Sequence, residues 1–148
     1  MKNKKLYENI ILKYGINPDN FYHIKNSTHI AKGYNEYCGD QIIIYINMRN
    51  NILEDISFLG KSCAISTSSC SIMLKCFKGK SLEDIKKIFF IFNKMLILND
   101  FSYKLKKNEE VLHHLLNIKK YPSRIKCVTL SWNIIYNIII KPNLLKNV

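Results

Sequence analysis

The chain has 148 residues, 47% hydrophobic and 23% charged, with five glycines and three prolines. Such a length supports a core that buries roughly two-thirds of the unfolded surface, and the composition excludes collagen-like and Pro/Gly-rich disordered chains. The formal net charge is +12, but the basic residues are dispersed and no nucleic-acid recognition motif accompanies them, so nucleic-acid binding is not expected.

Ile, Asn and Lys saturate the chain, the mark of A/T-rich coding, which raises the charge whatever the function. An acidic protein partner remains compatible with it. The basic start at residues 2–5 runs into Tyr7, Glu8 and Asn9, which interrupt the apolar run a signal peptide needs. The most apolar stretches, 88–92 and 134–140, are far shorter than the roughly 20 residues of a membrane span. Five cysteines is an odd number without secretory context, which favours reduced thiols or metal ligands over a disulfide framework. We expect a cytoplasmic protein, and with no repeat and no Gly/Pro/Ser linker, a single domain over 1–148.

In chain order, residues 3–14 carry Leu6, Ile10 and Tyr14 at i+4, with Ile11 beside them, and predict a short amphipathic helix ended by Gly15 and Pro18. A strand is possible over 29–34. Residues 41–48, the turn signal Arg49-Asn50-Asn51 and residues 52–59 predict an antiparallel hairpin. Residues 63–77 lose the alternation and stop at Lys78-Gly79, so a helix is expected there with Ser62 as N-cap. Ser81 with Asp84 resembles a capping box opening a helix over 85–98. A further helix is expected over 109–119. After Pro122, with Ser123 as cap, a last helix over 125–140 bears Trp132 and Tyr136 at i+4 as core residues. The fold class predicted is α+β, a small antiparallel sheet packed with helices.

Three cysteines fall at element ends. Cys38 precedes the first hairpin strand, Cys63 begins the helix after the second, and Cys127 lies in the first turn of the last helix. Two of these positions favour an anion through the helix dipole, which lowers a thiol pKa. Three thiolates with Asp40 would make a tetrahedral zinc set, and Gly39 would let Cys38 and Asp40 turn toward one ion. Spacing alone does not decide this, because there is no CxxC pair and free cysteines are commonly buried and inert. Cys70 and Cys76 fit that inert description; Cys70 is two helical turns from Cys63, roughly 10 Å along the axis. The histidines have no metal-ligand spacing: His113 and His114 read as surface residues, and a supporting contact from His23 or His29 stays open.

The order of Asn35-Glu36-Tyr37-Cys38-Gly39-Asp40, then Phe58-Leu59-Gly60-Lys61-Ser62-Cys63 running on to Ser71-Ile72-Met73, then Tyr121-Pro122-Ser123-Arg124-Ile125-Lys126-Cys127 to Trp132, resembles the SufU/IscU family of iron-sulfur cluster assembly proteins. Leu6-Tyr7, Tyr14 and Asn17-Pro18 are similar to that family's opening helix. The resemblance implies a three-stranded antiparallel sheet with about five helices. The scaffold branch carries a His before its last Cys; here Lys126 stands there, with Arg124 two residues earlier, and residues 79–120 leave room for a helical insertion. Both features resemble the SufU branch, similar to a zinc-containing sulfurtransferase.

That resemblance implies Cys38, Asp40, Cys63 and Cys127 as zinc ligands, Cys38 as acceptor of persulfide sulfur from a SufS-like cysteine desulfurase, Arg124 as an electrostatic aid to the thiolate or persulfide, and a SufB-type scaffold downstream. The alternative it leaves open is a scaffold on which an iron-sulfur cluster is assembled on the same four residues. A binding module with structural cysteines is a third possibility. Ser62 stands where the family usually has glycine, a strain of about 1 kcal/mol if that position needs positive φ. Cys70 replaces a small residue, a packing exchange.

Overall fold

The computed structural model describes residues 2–142. Helix α1 (Lys2–Ile16) precedes strands β1 (His29–Asn35), β2 (Asp40–Arg49) and β3 (Ile52–Lys61). Helices α2 (Ala64–Phe77), α3 (Leu82–Leu98), α4 (Leu112–Leu115) and α5 (Ile125–Ile135) follow, the last running on as a π-helical turn, Tyr136–Ile140. The strands form one antiparallel sheet in the order β1-β2-β3, the α+β arrangement expected.

The sheet follows from alternation. Ile42, Ile44 and Ile46 are buried while Gln41, Ile43 and Tyr45 are not, so one face of β2 carries the core and the register cannot slip by one residue without exposing it. Ile56 and Phe58 of β3 add to that face. Against it pack α2 and α5, joined by Trp132, whose ring stacks on Phe92 at 4.1 Å and meets Phe77 edge-on at 5.6 Å. Its Nε1 donates to Ser69 Oγ at 3.1 Å, which satisfies the one polar atom it buries. Tyr136 is half-buried and stacks on Phe89. In α1, Ile11 and Tyr14 are buried and Ile10 half-buried; the side chain of Leu6 is outside those described.

Four local expectations need correction. The N-cap of α2 is Cys63, not Ser62, whose hydroxyl instead meets Thr67 Oγ1 at 2.7 Å. The helix expected over 109–119 is broken into a 3-10 turn (Lys107–Glu109), the single turn of α4 and a second 3-10 stretch (Leu116–Lys120). Leu112, Leu115, Leu116 and Ile118 are buried there, so one side of the segment still faces the core although the turns on either side of α4 tighten to 3-10. Ser123 caps nothing: Pro122–Arg124 form a 3-10 turn leading directly into α5, with Arg124 at the N-cap and no side-chain cap bond. The last helix widens to a π turn after Ile135, so that the adjacent Ile139 and Ile140 are both buried.

Residues 99–120 are tied to the rest by a largely buried ion pair, Lys80 Nζ to Glu109 Oε2 at 2.9 Å. Among the described residues no helix is long and apolar enough to cross a membrane.

Candidate metal centre

One end of the sheet collects the ends of five elements. The β1–β2 register pairs Asn35 with Asp40, so residues 36–39 must reverse the chain within four positions. Gly39 does this at φ 66°, with open space where a Cβ would stand; its requirement is conformational. Cys38 and Asp40 are thereby turned to the same side. Next to them the last residues of β3 cross close over the start of β2. Gly60 makes this possible, since its φ is 142° and a Cβ would lie 2.0 Å from the Gln41 carbonyl oxygen. The chain then delivers Cys63 to the N-terminus of α2, where its Sγ accepts the Ser66 N–H at 3.4 Å. Cys127 arrives from the first turn of α5.

The donors converge. One ligand atom each from Cys38, Asp40 and Cys127 lie within 4.8 Å of one another. Cys38 Sγ and Cys127 Sγ are 3.3 Å apart, and Cys63 Sγ is 3.9 Å from Asp40 Oδ2. Cys63 lies against both Asp40 and Cys127 and stands outside the tighter trio. Asp40 Oδ1 accepts the Cys63 backbone N–H at 2.8 Å, which fixes the carboxylate and leaves Oδ2 toward the sulfurs. Exposure is graded across the site: Asp40 and Cys127 are each 1% exposed, whereas Cys38 and Cys63 are partly exposed. Cys38 is on the outer side, beside a cleft of about 360 Å³ lined by Tyr37, Pro122, Ser123, Arg124 and Lys126. Arg124 Nη1 donates to Cys38 Sγ at 3.4 Å.

These residues fit a divalent metal. Two zinc–sulfur bonds of about 2.3 Å at a tetrahedral angle place the sulfurs roughly 3.8 Å apart, and a sulfur and an oxygen slightly closer. The observed S–S distance of 3.3 Å is about half an ångström shorter than this and the S–O distance of 3.9 Å slightly longer, so small side-chain adjustments bring the donors to that spacing. The donor chemistry agrees, because among the described residues no Lys, Arg or His forms an ion pair with the buried Asp40 carboxylate, and a buried anion needs a compensating cation. Without metal, burial is the main cause that pushes the Cys127 thiol far up, and contacts with Cys38 and Cys63 push it the same way. The charges of Cys127, then Cys63, Cys38 and Asp40, raise Arg124 above its ordinary value against the opposing effect of burial.

The family model of the NifU-like N terminal domain matches residues 6–128. The chain belongs to this family. It is 32% identical over 127 residues to the zinc-dependent sulfurtransferase SufU of Bacillus subtilis, covering 86% of this chain and 84% of that protein. It is equally 32% identical over 129 residues to the iron-sulfur cluster assembly scaffold protein IscU of Thermotoga maritima, covering 87% and 89%. The crystal structure of FiSufU from Fervidobacterium islandicum AW-1 shares the fold at a TM-score of 0.78 and 24% identity, over 88% of this chain and 93% of that one. The SufU/IscU resemblance read from the motifs therefore holds, as does the three-stranded α+β fold.

Within this NifU-like domain the other expected features separate cleanly. Cys70 and Cys76 are buried in the core; burial drives both thiols up, Cys76 to about 11. His29 lies at the opposite end of β1 from the site, its Nδ1 against Thr28 Oγ1, and His23 packs edge-on against Tyr45. Among the described residues the non-glycine ones at positive φ are Asn20, Asn26, Asn50, Asn51 and Asn99; Ser62 is not among them, so the serine in place of glycine carries no such strain.

Two contributors carried no role in the sequence reading. Asn35, only 6% exposed, donates from Nδ2 to Asp40 Oδ2 at 3.4 Å and to Cys127 Sγ at 3.7 Å, while its Oδ1 accepts the Tyr37 N–H at 3.3 Å. Lys126 Nζ stands 4.3 Å from the centroid of the exposed Tyr37 ring. A polar residue closing a strand directly opposite an acid was the available signal for Asn35, and it required the hairpin register.

Proposed function

We propose that this protein serves iron-sulfur cluster assembly as a zinc-dependent sulfurtransferase, taking sulfur from the persulfide of a cysteine desulfurase on Cys38 and relaying it to a cluster scaffold. The observation that carries this reading is the asymmetry of the donor set. Asp40 and Cys127 are buried and braced by Asn35, whereas Cys38 is partly exposed and held by Arg124. The likeness to the B. subtilis zinc-dependent sulfurtransferase supports it.

Cys38, Asp40, Cys63 and Cys127 would hold the zinc, which supplies a Lewis acid that keeps thiols deprotonated at neutral pH. The Cys38 sulfur attacks the terminal sulfur of the desulfurase persulfide. A new S–S bond forms at Cys38 as the donor's S–S bond breaks; the electron pair leaves on the donor cysteine, and the transferred sulfur keeps its proton. Arg124, 3.4 Å from Cys38 Sγ, stabilises the thiolate on that sulfur before transfer.

A second reading, the scaffold, is favoured by the equal identity to the T. maritima IscU and uses the same four residues. The two are separated by incubating wild type and Cys38→Ala with desulfurase and cysteine and reading bound sulfur by intact-mass spectrometry. The relay predicts one desulfurase-dependent sulfur on wild type and none on the variant. Undiminished labelling of Cys38→Ala refutes it. Iron with acid-labile sulfide after anaerobic reconstitution, transferable to an apo acceptor, favours the scaffold. Metal analysis of wild type and Asp40→Ala completes the test, with about one zinc per chain expected in the first and less in the second.

A further inference from the structure

On its outward side α3 sets large apolar residues among polar ones. Ile85, Ile88, Phe89, Phe92, Met95 and Leu96 face the core, yet Phe90 is 40% exposed and Ile97 and Leu98 are each 68% exposed. The exposed positions are ordered: Ile97 follows Phe90, and Leu98 follows the half-buried Ile91, by seven residues. Seven residues bring a helix back to within about 20° of the starting direction, so these four side chains form a two-wide seam along one face.

Beside Phe90 and Ile91 the surface is concave. A groove of about 380 Å³ is lined by both, with Tyr103 as the far wall and Lys86, Lys87, Lys94 and Glu83 on the rim. Glu83 is occupied by Lys86 at 3.3 Å. Lys94 lies over the Tyr103 ring at 4.7 Å and donates to its hydroxyl at 3.1 Å. Lys87 and Lys94 are themselves seven residues apart, so they bracket Phe90 and Ile91 with positive charge roughly 10 Å apart along the same face.

We propose that this face is the docking site for an amphipathic helix of an acidic partner protein. Apolar residues of the partner at i, i+3, i+4 and i+7 would lie along the seam, and carboxylates one heptad apart would meet Lys87 and Lys94. Charge selects among the possible occupants. A second copy of this chain would set Lys87 and Lys94 against like charges on a molecule of net charge +12. A membrane is served by a convex apolar face, whereas at Phe90 and Ile91 this surface is a groove. The site shares no residue with the metal centre and does not depend on the sulfur-transfer reading.

The test uses the full chain and a synthetic helical peptide with leucines at i, i+3, i+4 and i+7 flanked by glutamates, read by fluorescence anisotropy and by NMR shift mapping. Expected are saturable binding that weakens as salt rises and shifts centred on α3 and Tyr103. Phe90→Asp should weaken binding by about tenfold or more, as loss of a buried aromatic anchor does. Lys87→Glu, at an exposed position that holds no wall of the groove, should weaken it severalfold and reduce the salt dependence. Equal binding of a peptide with lysines in place of the glutamates overturns the proposal. So do shifts centred elsewhere, binding to phosphatidylglycerol vesicles but not the peptide, or self-association that Phe90→Asp abolishes.

Discussion

Replacing Asn35 with alanine separates a bracing role in the metal centre from mere packing of the hairpin. Its amide donates to Asp40 Oδ2 and Cys127 Sγ at 3.4 and 3.7 Å, and its carbonyl accepts the Tyr37 N–H at 3.3 Å. Hydrogen bonds to charged acceptors are worth roughly 1.5–3 kcal/mol at good geometry. Both of these are long, so about 1–2 kcal/mol together is the appropriate size. They matter most when the carboxylate and the sulfur are both anionic, as in the metal-loaded state. The bond to Tyr37 stabilises the turn in either state by about 1 kcal/mol. Asn35→Ala should therefore lose about 1 kcal/mol of apo stability and about 2–3 kcal/mol with zinc bound. The difference amounts to a zinc affinity about tenfold weaker. Urea unfolding of both forms, with competition against a chromophoric chelator, measures each quantity. Equal losses in apo and loaded protein, or a zinc affinity within about twofold of wild type, would refute the bracing role.

Arg124→Ala should slow sulfur acceptance on Cys38 by about tenfold, with Arg124→Lys recovering part of the rate, because the guanidinium is the cation on that sulfur; a single-turnover rate equal to wild type would remove Arg124 from the reaction. Gly60→Ala places a Cβ 2.0 Å from the Gln41 carbonyl oxygen at φ 142°. It should cost at least about 2 kcal/mol in urea unfolding and weaken metal binding, since this crossing delivers Cys63. His114 has its pKa lowered from 6.5, first by burial and then by His113. The unfolded chain then binds the proton more readily, so stability falls as pH drops through 6.5 and below. His114→Gln should flatten that part of the stability–pH curve, and an unchanged curve would show the histidine to be irrelevant.

Local pattern was enough for much of this molecule. The alternation of Ile42, Ile44 and Ile46, the asparagine turn at Asn50-Asn51 and the Ser81 cap, whose Oγ accepts the Asp84 N–H at 3.2 Å, are determined by neighbours within a few residues. The strand and cap assignments there needed no tertiary knowledge. The three separated motifs likewise specified the family, because each carries its residue types at fixed local spacing. Local pattern was weakest where apolar spacing was ambiguous. Residues 109–119 carry a helical apolar spacing, with Leu112, Leu115, Leu116 and Ile118 buried, yet the chain breaks into 3-10 turns around α4 that this spacing does not distinguish from one continuous helix.

The metal centre divides along the same line. Cys38, Gly39 and Asp40 announce themselves within three residues, but the 3.3 Å approach of Cys127 and the bracing by Asn35 depend on β1–β2 register and on how α5 packs across the sheet. The sequence determined which side chains could ligate, anchor or cap. Whether the apolar residues of α3 are covered, and whether distant donors meet, only the tertiary structure decided, because both are properties of surfaces brought together from far along the chain.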